Sequence, residues 1–211
     1  MCSGEDKVPD SDLDQTAREN LRVGVISVGD EILEGRIVDL HSRTTSALLT
    51  PLGVEVEWHL SIGDAPGALS SVLASIPAPV DGIVIAGGLG PTADDRCRQE
   101  IATATAAPLE FDEEAWQRIQ DRFVMAGLEP AHNNRNQAIR PQGSETLVNE
   151  WGTAPGFRMS FGDGTLLFAL PGVPSEFDQM LREYVLPWAQ SRSDKIETGE
   201  ILEFIGIPES Q

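Results

Sequence analysis

Short β-branched apolar runs alternate with stretches of helical period along most of this chain. Leu21 to Val28 (LRVGVISV) is the first run, continuous enough for a buried strand. Leu40, Ala47, Leu48 and Leu52 then share one face of a helix that Gly53 ends. Val54 to Leu60 (VEVEWHL) alternates apolar and acidic positions, the pattern of a strand with one wet face near a sheet edge. Ser61 to Asp64 reads as a turn and Ala65 to Ile76 as a helix. Val80 to Ala86 (VDGIVIA) is another buried strand, and Arg96 to Ala107 the helix that follows it. This βαβαβα order predicts an α/β fold, a mainly parallel sheet wrapped by helices.

The second half adds a helix start at Phe111-Asp112-Glu113-Glu114-Ala115-Trp116. Asp112 is the expected N-cap, Glu113 and Glu114 favour the dipole, and Phe111 staples onto Trp116. Trp116, Ile119 and Phe123 continue a core-facing stripe, and Gly127 stops the helix. Asn133 to Ala138 (NNRNQA) has no apolar period and reads as a solvated loop or helix start. A short strand is expected at Glu145 to Val148, then a fixed turn at Gly152 to Phe157. Phe157 to Phe161 and Thr165 to Leu170 straddle Gly162-Asp163-Gly164, a hairpin signal. Pro171-Gly172-Val173-Pro174 leads into a helix toward Trp188, with Ser175 as its expected cap rather than a nucleophile.

The foldable domain is therefore placed at residues 21–190. Residues 1–20 are a polar acidic leader without the apolar core of a signal peptide, expected to be disordered. Residues 191–211 are polar at first and end in a strand-like run at Ile201 to Gly206.

Charge narrows what the domain can hold. The formal net charge is −19, from 34 acidic and 15 basic residues, and only Lys7 and Lys195 are lysines. Such a surface repels nucleic acid and anionic membranes, so neither is an expected partner. An anionic ligand must be held by main-chain amides, a few arginines and a cation. Cys2 and Cys97 are the only cysteines, so a structural disulfide is not expected and a reducing, cytoplasmic setting fits. No apolar run reaches the length of a membrane span.

The candidate chemistry centres on Gly87-Gly88-Leu89-Gly90-Pro91-Thr92, a glycine-rich turn between a strand and a helix. Amides converging at such a turn make an anion site. Asp94 and Asp95 at the same corner would repel a bare phosphate. The fitting tenant is a phosphate with a divalent cation, or a water to be activated. Asp30 and Glu31 follow the first strand, where open α/β sheets bind ligands. Arg135 can grip a phosphate, and the Asn residues beside it can read planar polar groups. Gly172 and Ser175 open a second strand–turn–helix aimed at the same corner. Taken singly, each is equally a tight turn, a helix cap or a polar loop.

Together these segments give the chain its resemblance. SVGDEILEGRIVD (Ser27 to Asp39), GGLGPTADD (Gly87 to Asp95), NNRNQA, and GTAPGF with LPGVPSEF (Leu170 to Phe177) stand in that order. The chain resembles the N-terminal domain of the CinA (competence/damage-inducible protein) family, related to the molybdopterin-binding domain of molybdenum-cofactor biosynthesis proteins. The resemblance implies a three-layer α/β/α fold with a mostly parallel sheet. It also implies divalent-metal-dependent hydrolysis of the pyrophosphate bond of ADP-ribose or a related nucleoside diphosphate compound. Gly87, Gly88, Gly90 and Thr92 would cradle phosphate, and Asn134, Arg135, Gly172 and Ser175 would complete the ligand site. Asp95, Asp94 and Asp30 would be the catalytic carboxylates, with Asp30, Glu31 and Asp95 on the metal (Mg, Mn or Co, with a monovalent cation as a further option). The alternatives are molybdopterin binding with adenylyl transfer, or a non-catalytic nucleotide-sensing module. Homo-oligomerisation is expected by the same resemblance. The tail ILEFIGIPESQ resembles the start of a middle domain. Asp39-Leu40-His41 and Cys97 depart from the family pattern and are expected to remove ligand contacts at positions 41 and 97.

Overall fold

The computed structural model describes residues 20–162 and 164–193. The acidic leader up to residue 19, Asp163 and the tail from residue 194, with its expected strand at Ile201 to Gly206, lie outside the described residues. The first half follows the predicted alternation: β1 (Arg22–Val28), α1 (Asp30–Leu33), α2 (Leu40–Leu49), β2 (Glu55–Ile62), α3 (Ala68–Leu73), β3 (Gly82–Ala86) and α4 (Cys97–Ala104). A short strand, β4 (Leu109–Phe111), precedes α5 (Glu113–Met125). A 3-10 turn at His132–Ala138 then leads to β5 (Ile139–Pro141), β6 (Glu145–Leu147), β7 (Gly156–Phe161) and β8 (Thr165–Leu170). The last helix runs as α6 (Pro174–Met180), a π turn at Leu181–Val185 and α7 (Leu186–Arg192).

The main sheet has the order β2-β1-β3-β8-β7-β6. β2, β1, β3 and β8 are parallel, and β7 is antiparallel to both its neighbours. β2 sits at the edge, as its alternating pattern predicts. The chain leaves β1 for β2 on one side and returns to β3 on the other, so the strand order reverses between β1 and β3. Open α/β sheets bind ligands at such a crevice.

Alternation along the strands feeds two cores. Val84, Ala86, Phe168 and Leu170 face Leu49 and the last helix, through Phe177, Met180, Leu181, Val185 and Trp188. Ile83, Ile85, Leu167 and Ala169 face Leu69 and Leu73 of α3 and Cys97 and Ile101 of α4. Two buried faces explain why the central strands are continuously apolar instead of alternating. A small third cluster (Ala115, Ile119 and Ala138, with Phe111, Trp116 and Phe123) seats α5 beside the β4–β5 pair. Asp112 caps α5 by accepting from the Ala115 amide at 2.9 Å, as expected.

The cap expected at Ser175 is absent, as is the alternative cap at Asp94 or Asp95. Helix α4 begins with Arg96 at its N-cap and no capping side chain, so Asp94 and Asp95 are loop residues. Helix α6 begins at Pro174 after Val173, which leaves Ser175 exposed and not a cap. Proline fixes the first helical position by itself, because its missing N–H is one that needs no partner there.

Candidate functional site

A cleft of about 630 Å³ opens at the carboxyl ends of β1, β3 and β8. Its walls are Val28-Gly29, the Gly87 to Pro91 loop and Pro171 to Pro174. Glu31, Asp64, Asp94, Asp95 and Glu176 line it, and among the described residues no lysine or arginine does.

The floor is the glycine loop. Gly87 has φ +107° and Gly88 φ +64°, a turn that side chains rarely permit. The Gly87 amide donates to the Leu170 carbonyl at 3.1 Å, and the Cys97 amide donates to Gly88 at 3.2 Å. Among the described residues no group accepts from the amides of Gly88, Leu89 or Gly90. Asp95 closes the loop instead of capping the helix: its Oδ2 accepts from the Thr92 amide at 2.8 Å and the Thr92 hydroxyl at 2.5 Å. Beneath the loop, Arg98 is 2 % exposed and donates to the carbonyls of Leu89 and Gly90. Burial pushes its guanidinium down to about 10, while the Asp95 charge acts in the opposite sense. Sequence reasoning missed Arg98, since its spacing is that of any solvated helix residue.

The acidic rim is also re-sorted. The Asp30 amide donates to Asp64 Oδ2, and the Asp64 amide returns a bond to Asp30 Oδ1, both at 3.1 Å. Asp30 is thereby turned onto the turn after β2, and Asp64, read from sequence only as a turn residue, lines the cleft in its place. Burial raises the Asp64 carboxyl above its usual range; the Asp30, Glu31 and Asp95 charges add to this, and the bond from the Asp30 amide opposes it. Asp30 and Asp95 therefore lie on the same side of the molecule, coupled through Asp64. No three His, Cys, Asp or Glu side chains among the described residues converge as a metal cage. Asp30, Glu31 and Asp95 thus do not form a preformed metal site. A magnesium ion that arrives on a ligand's phosphates needs only one or two carboxylates, and this rim offers those.

The NNRNQA segment reaches the cleft through Gln137 rather than through the residues expected. Asn134 is buried and donates to Gln137 at 3.1 Å, and Gln137 donates to Thr153 at 3.2 Å. Asn136 ties the segment to the glycine loop by donating to the Pro91 carbonyl at 3.1 Å. Arg135 lies over the rings of Phe111 (4.4 Å) and Trp116 (5.2 Å), a cation–π stack outside the cleft lining. Glu176, missed from sequence, is fixed by the buried Asn149, whose Nδ2 donates to it at 2.7 Å. Gly172 lines the cleft as expected. Its carbonyl bonds the buried His41 Nε2 at 2.9 Å, which ties the start of α2 to the turn after β8.

Residues 24–191 match a family described as "Probable molybdopterin binding domain". A competence-damage inducible protein of Levilactobacillus brevis is 38% identical over 193 residues, covering 90% of this chain and 46% of the relative. A CinA-like protein of Citrifermentans bemidjiense is 37% identical with the same coverage. The solved structure of CinA, of unknown function, from Thermoplasma acidophilum superposes with a TM-score of 0.71 at 30% identity, over 78% of this chain and 95% of that one. The chain belongs to the CinA family. It spans about half the length of the curated relatives it matches. A molybdenum cofactor biosynthesis protein B shares the fold at a TM-score of 0.53 and 14% identity, covering 87% of this chain and 99% of that one.

Within this CinA-like domain the departures serve the scaffold. Asp39 caps α2, accepting from the amides of His41 (3.0 Å) and Ser42 (3.1 Å) and from the Ser27 hydroxyl (2.9 Å). Burial would raise its carboxyl, but the bonds from Ser42 and Ser27 and the nearby His41 hold it below its usual range. Cys97 packs beneath Gly88, where burial pushes its thiol up to about 12. Neither His41 nor Cys97 lines the cleft. Among the described residues no helix is long and apolar enough to cross a membrane.

Proposed function

We propose that the cleft binds a phosphorylated pterin of the molybdopterin type, its phosphate seated on the Gly88 to Gly90 amides together with a divalent cation. The observation that carries this reading is the pairing, among the described residues, of three loop amides that lack acceptors with a lining of five carboxylates and no cationic side chain. Free amides suit a phosphate. Carboxylates alone would repel it, so the ligand brings its cation, which Asp94, Asp95 or Asp64 can meet. A 2-amino-4-oxo pyrimidine edge presents adjacent N–H donors, and a carboxylate accepts such donors in pairs. Glu31 and Glu176 are rim groups of that kind. The family description and the CinA-like relatives support the reading.

A second reading, hydrolysis of ADP-ribose or a similar nucleoside diphosphate, draws on the neutral amides of Asn136 and Gln137 beside the glycine loop. In it Asp94 and Asp95 orient the attacking water, and the loop amides take up charge developing on phosphorus oxygens. Calorimetry with molybdopterin and with ADP-ribose, each with and without Mg²⁺, separates the two. The expected result is Mg²⁺-dependent binding of molybdopterin with no turnover of ADP-ribose. Mg²⁺-stimulated ADP-ribose cleavage that Asp95→Ala abolishes would overturn the first reading in favour of the second.

A further inference from the structure

We infer that Arg98 is a positioning residue for the glycine loop, turning the Leu89 and Gly90 carbonyls inward beneath the cleft so that the neighbouring amides are left for a phosphate. This rests on the proposed phosphate seat, but its structural half stands without it.

Arg98 is placed where two physical rules disfavour it. It lies in the first turn of α4, the positive end of the helix dipole, where a cation is unwelcome. It is also 2 % exposed, and it forms no ion pair among the described residues. Its partners are main-chain carbonyls: Nη1 donates to Gly90 at 3.1 Å and Nη2 to Leu89. Residues that break local rules and persist are expected where function demands it. Here the return on the violation is specific. The Leu89 carbonyl shares its peptide with the Gly90 amide, so tying it to Arg98 on the buried side turns that N–H the other way; the Gly90–Pro91 peptide has no N–H, and tying its carbonyl fixes the loop's course. A planar guanidinium can hold two carbonyls at once; the ammonium of lysine is a point donor on a floppier stem. The same placement puts a cation beneath the floor of a cleft whose walls carry five carboxylates. It thus favours an anion there without offering a side chain that could compete for the ligand's pterin edge or cation.

The test uses Arg98→Lys and Arg98→Met in the whole chain, with magnesium pyrophosphate as the probe. Loss of one or two charge-assisted hydrogen bonds predicts an affinity about 10- to 100-fold weaker in both variants. The backbone amide resonances of Gly88, Leu89 and Gly90 should also move in the unliganded variants. A purely structural arginine would lower the unfolding temperature of Arg98→Met yet leave the resonances and affinity of a folded Arg98→Lys at wild-type values, and that result would overturn the inference. If wild-type protein fails to bind magnesium pyrophosphate, the phosphate seat is wrong. The unliganded resonances of Arg98→Lys then decide the positioning role alone: moved, it stands; unmoved, it falls.

Discussion

Replacing Gly87 with alanine probes the corner where all three central strands end. Gly87 has φ +107°, and a Cβ built there would lie 2.4 Å from the Val28 carbonyl oxygen. The left-handed backbone costs alanine about 1–2 kcal/mol. The contact is with main chain of a central strand, which cannot swing aside, and overpacking of this kind costs about 1–3 kcal/mol. Together the change should destabilise the fold by roughly 2–5 kcal/mol, lowering the unfolding midpoint by roughly 4–20 °C for a chain of this size. Gly90→Ala is the matched control. Its new Cβ would lie 2.4 Å from Asp95 Oδ2, the movable end of an unburied side chain, and Gly90 is not among the glycines with positive φ. Asp95 can rotate away, at the expense of its bonds to Thr92. Gly90→Ala should therefore unfold within about 4 °C of wild type while its affinity for magnesium pyrophosphate falls. Differential scanning calorimetry with parallel binding measurements reads both. A Gly87→Ala midpoint within 2 °C of wild type, or a Gly90→Ala loss as large as that of Gly87→Ala, would refute the reasoning that backbone and side-chain contacts differ in kind here.

Asp39 gives a pH prediction with a definite sign. Its folded carboxyl lies below the ordinary value of 3.8, so the stability it supplies is present above that pH and is lost as pH falls through the depressed folded value. Asp39→Asn should flatten the acid limb of the stability curve below about pH 4; an unchanged acid limb in urea titrations would show that the Ser27 and Ser42 bonds do not act on this carboxyl. Arg135→Ala should cost about 0.5–1 kcal/mol through its lost stacking on Phe111 and Trp116. It should leave ligand affinity within about twofold of wild type, and a tenfold loss in calorimetry would place the guanidinium in the cleft after all.

Much of the fold was legible because periodicity is a local property. Val80 to Ala86 and Thr165 to Leu170 are short apolar runs, and the strands they predict lie side by side in the centre of the sheet. Asp112 and Gly53 announced a helix start and stop through chemistry that acts within a few residues. The glycine loop was legible for the same reason: a turn with two successive positive φ angles favours glycine. What spacing could not show is which polar side chain faces the cleft. Asp30 and Asp64 exchange amide–carboxylate bonds across 34 positions, and only that exchange decides which of the two lines the cleft. Arg135 had the better chemistry for a phosphate, yet the rings of Phe111 in β4 and Trp116 in α5 hold it elsewhere, whereas Arg98 and Glu176 carried no signal apart from their surroundings.

The layered α/β fold, an acid-rich pocket and the place of its glycine-rich turn could be read from the chain alone, since these follow from neighbour-to-neighbour geometry and net charge. Long-range packing set which carboxylates share the rim and where the buried Arg98 guanidinium sits. The physical reason is that hydrogen bonds and burial between distant segments orient side chains, and a one-dimensional pattern holds no record of which segments meet.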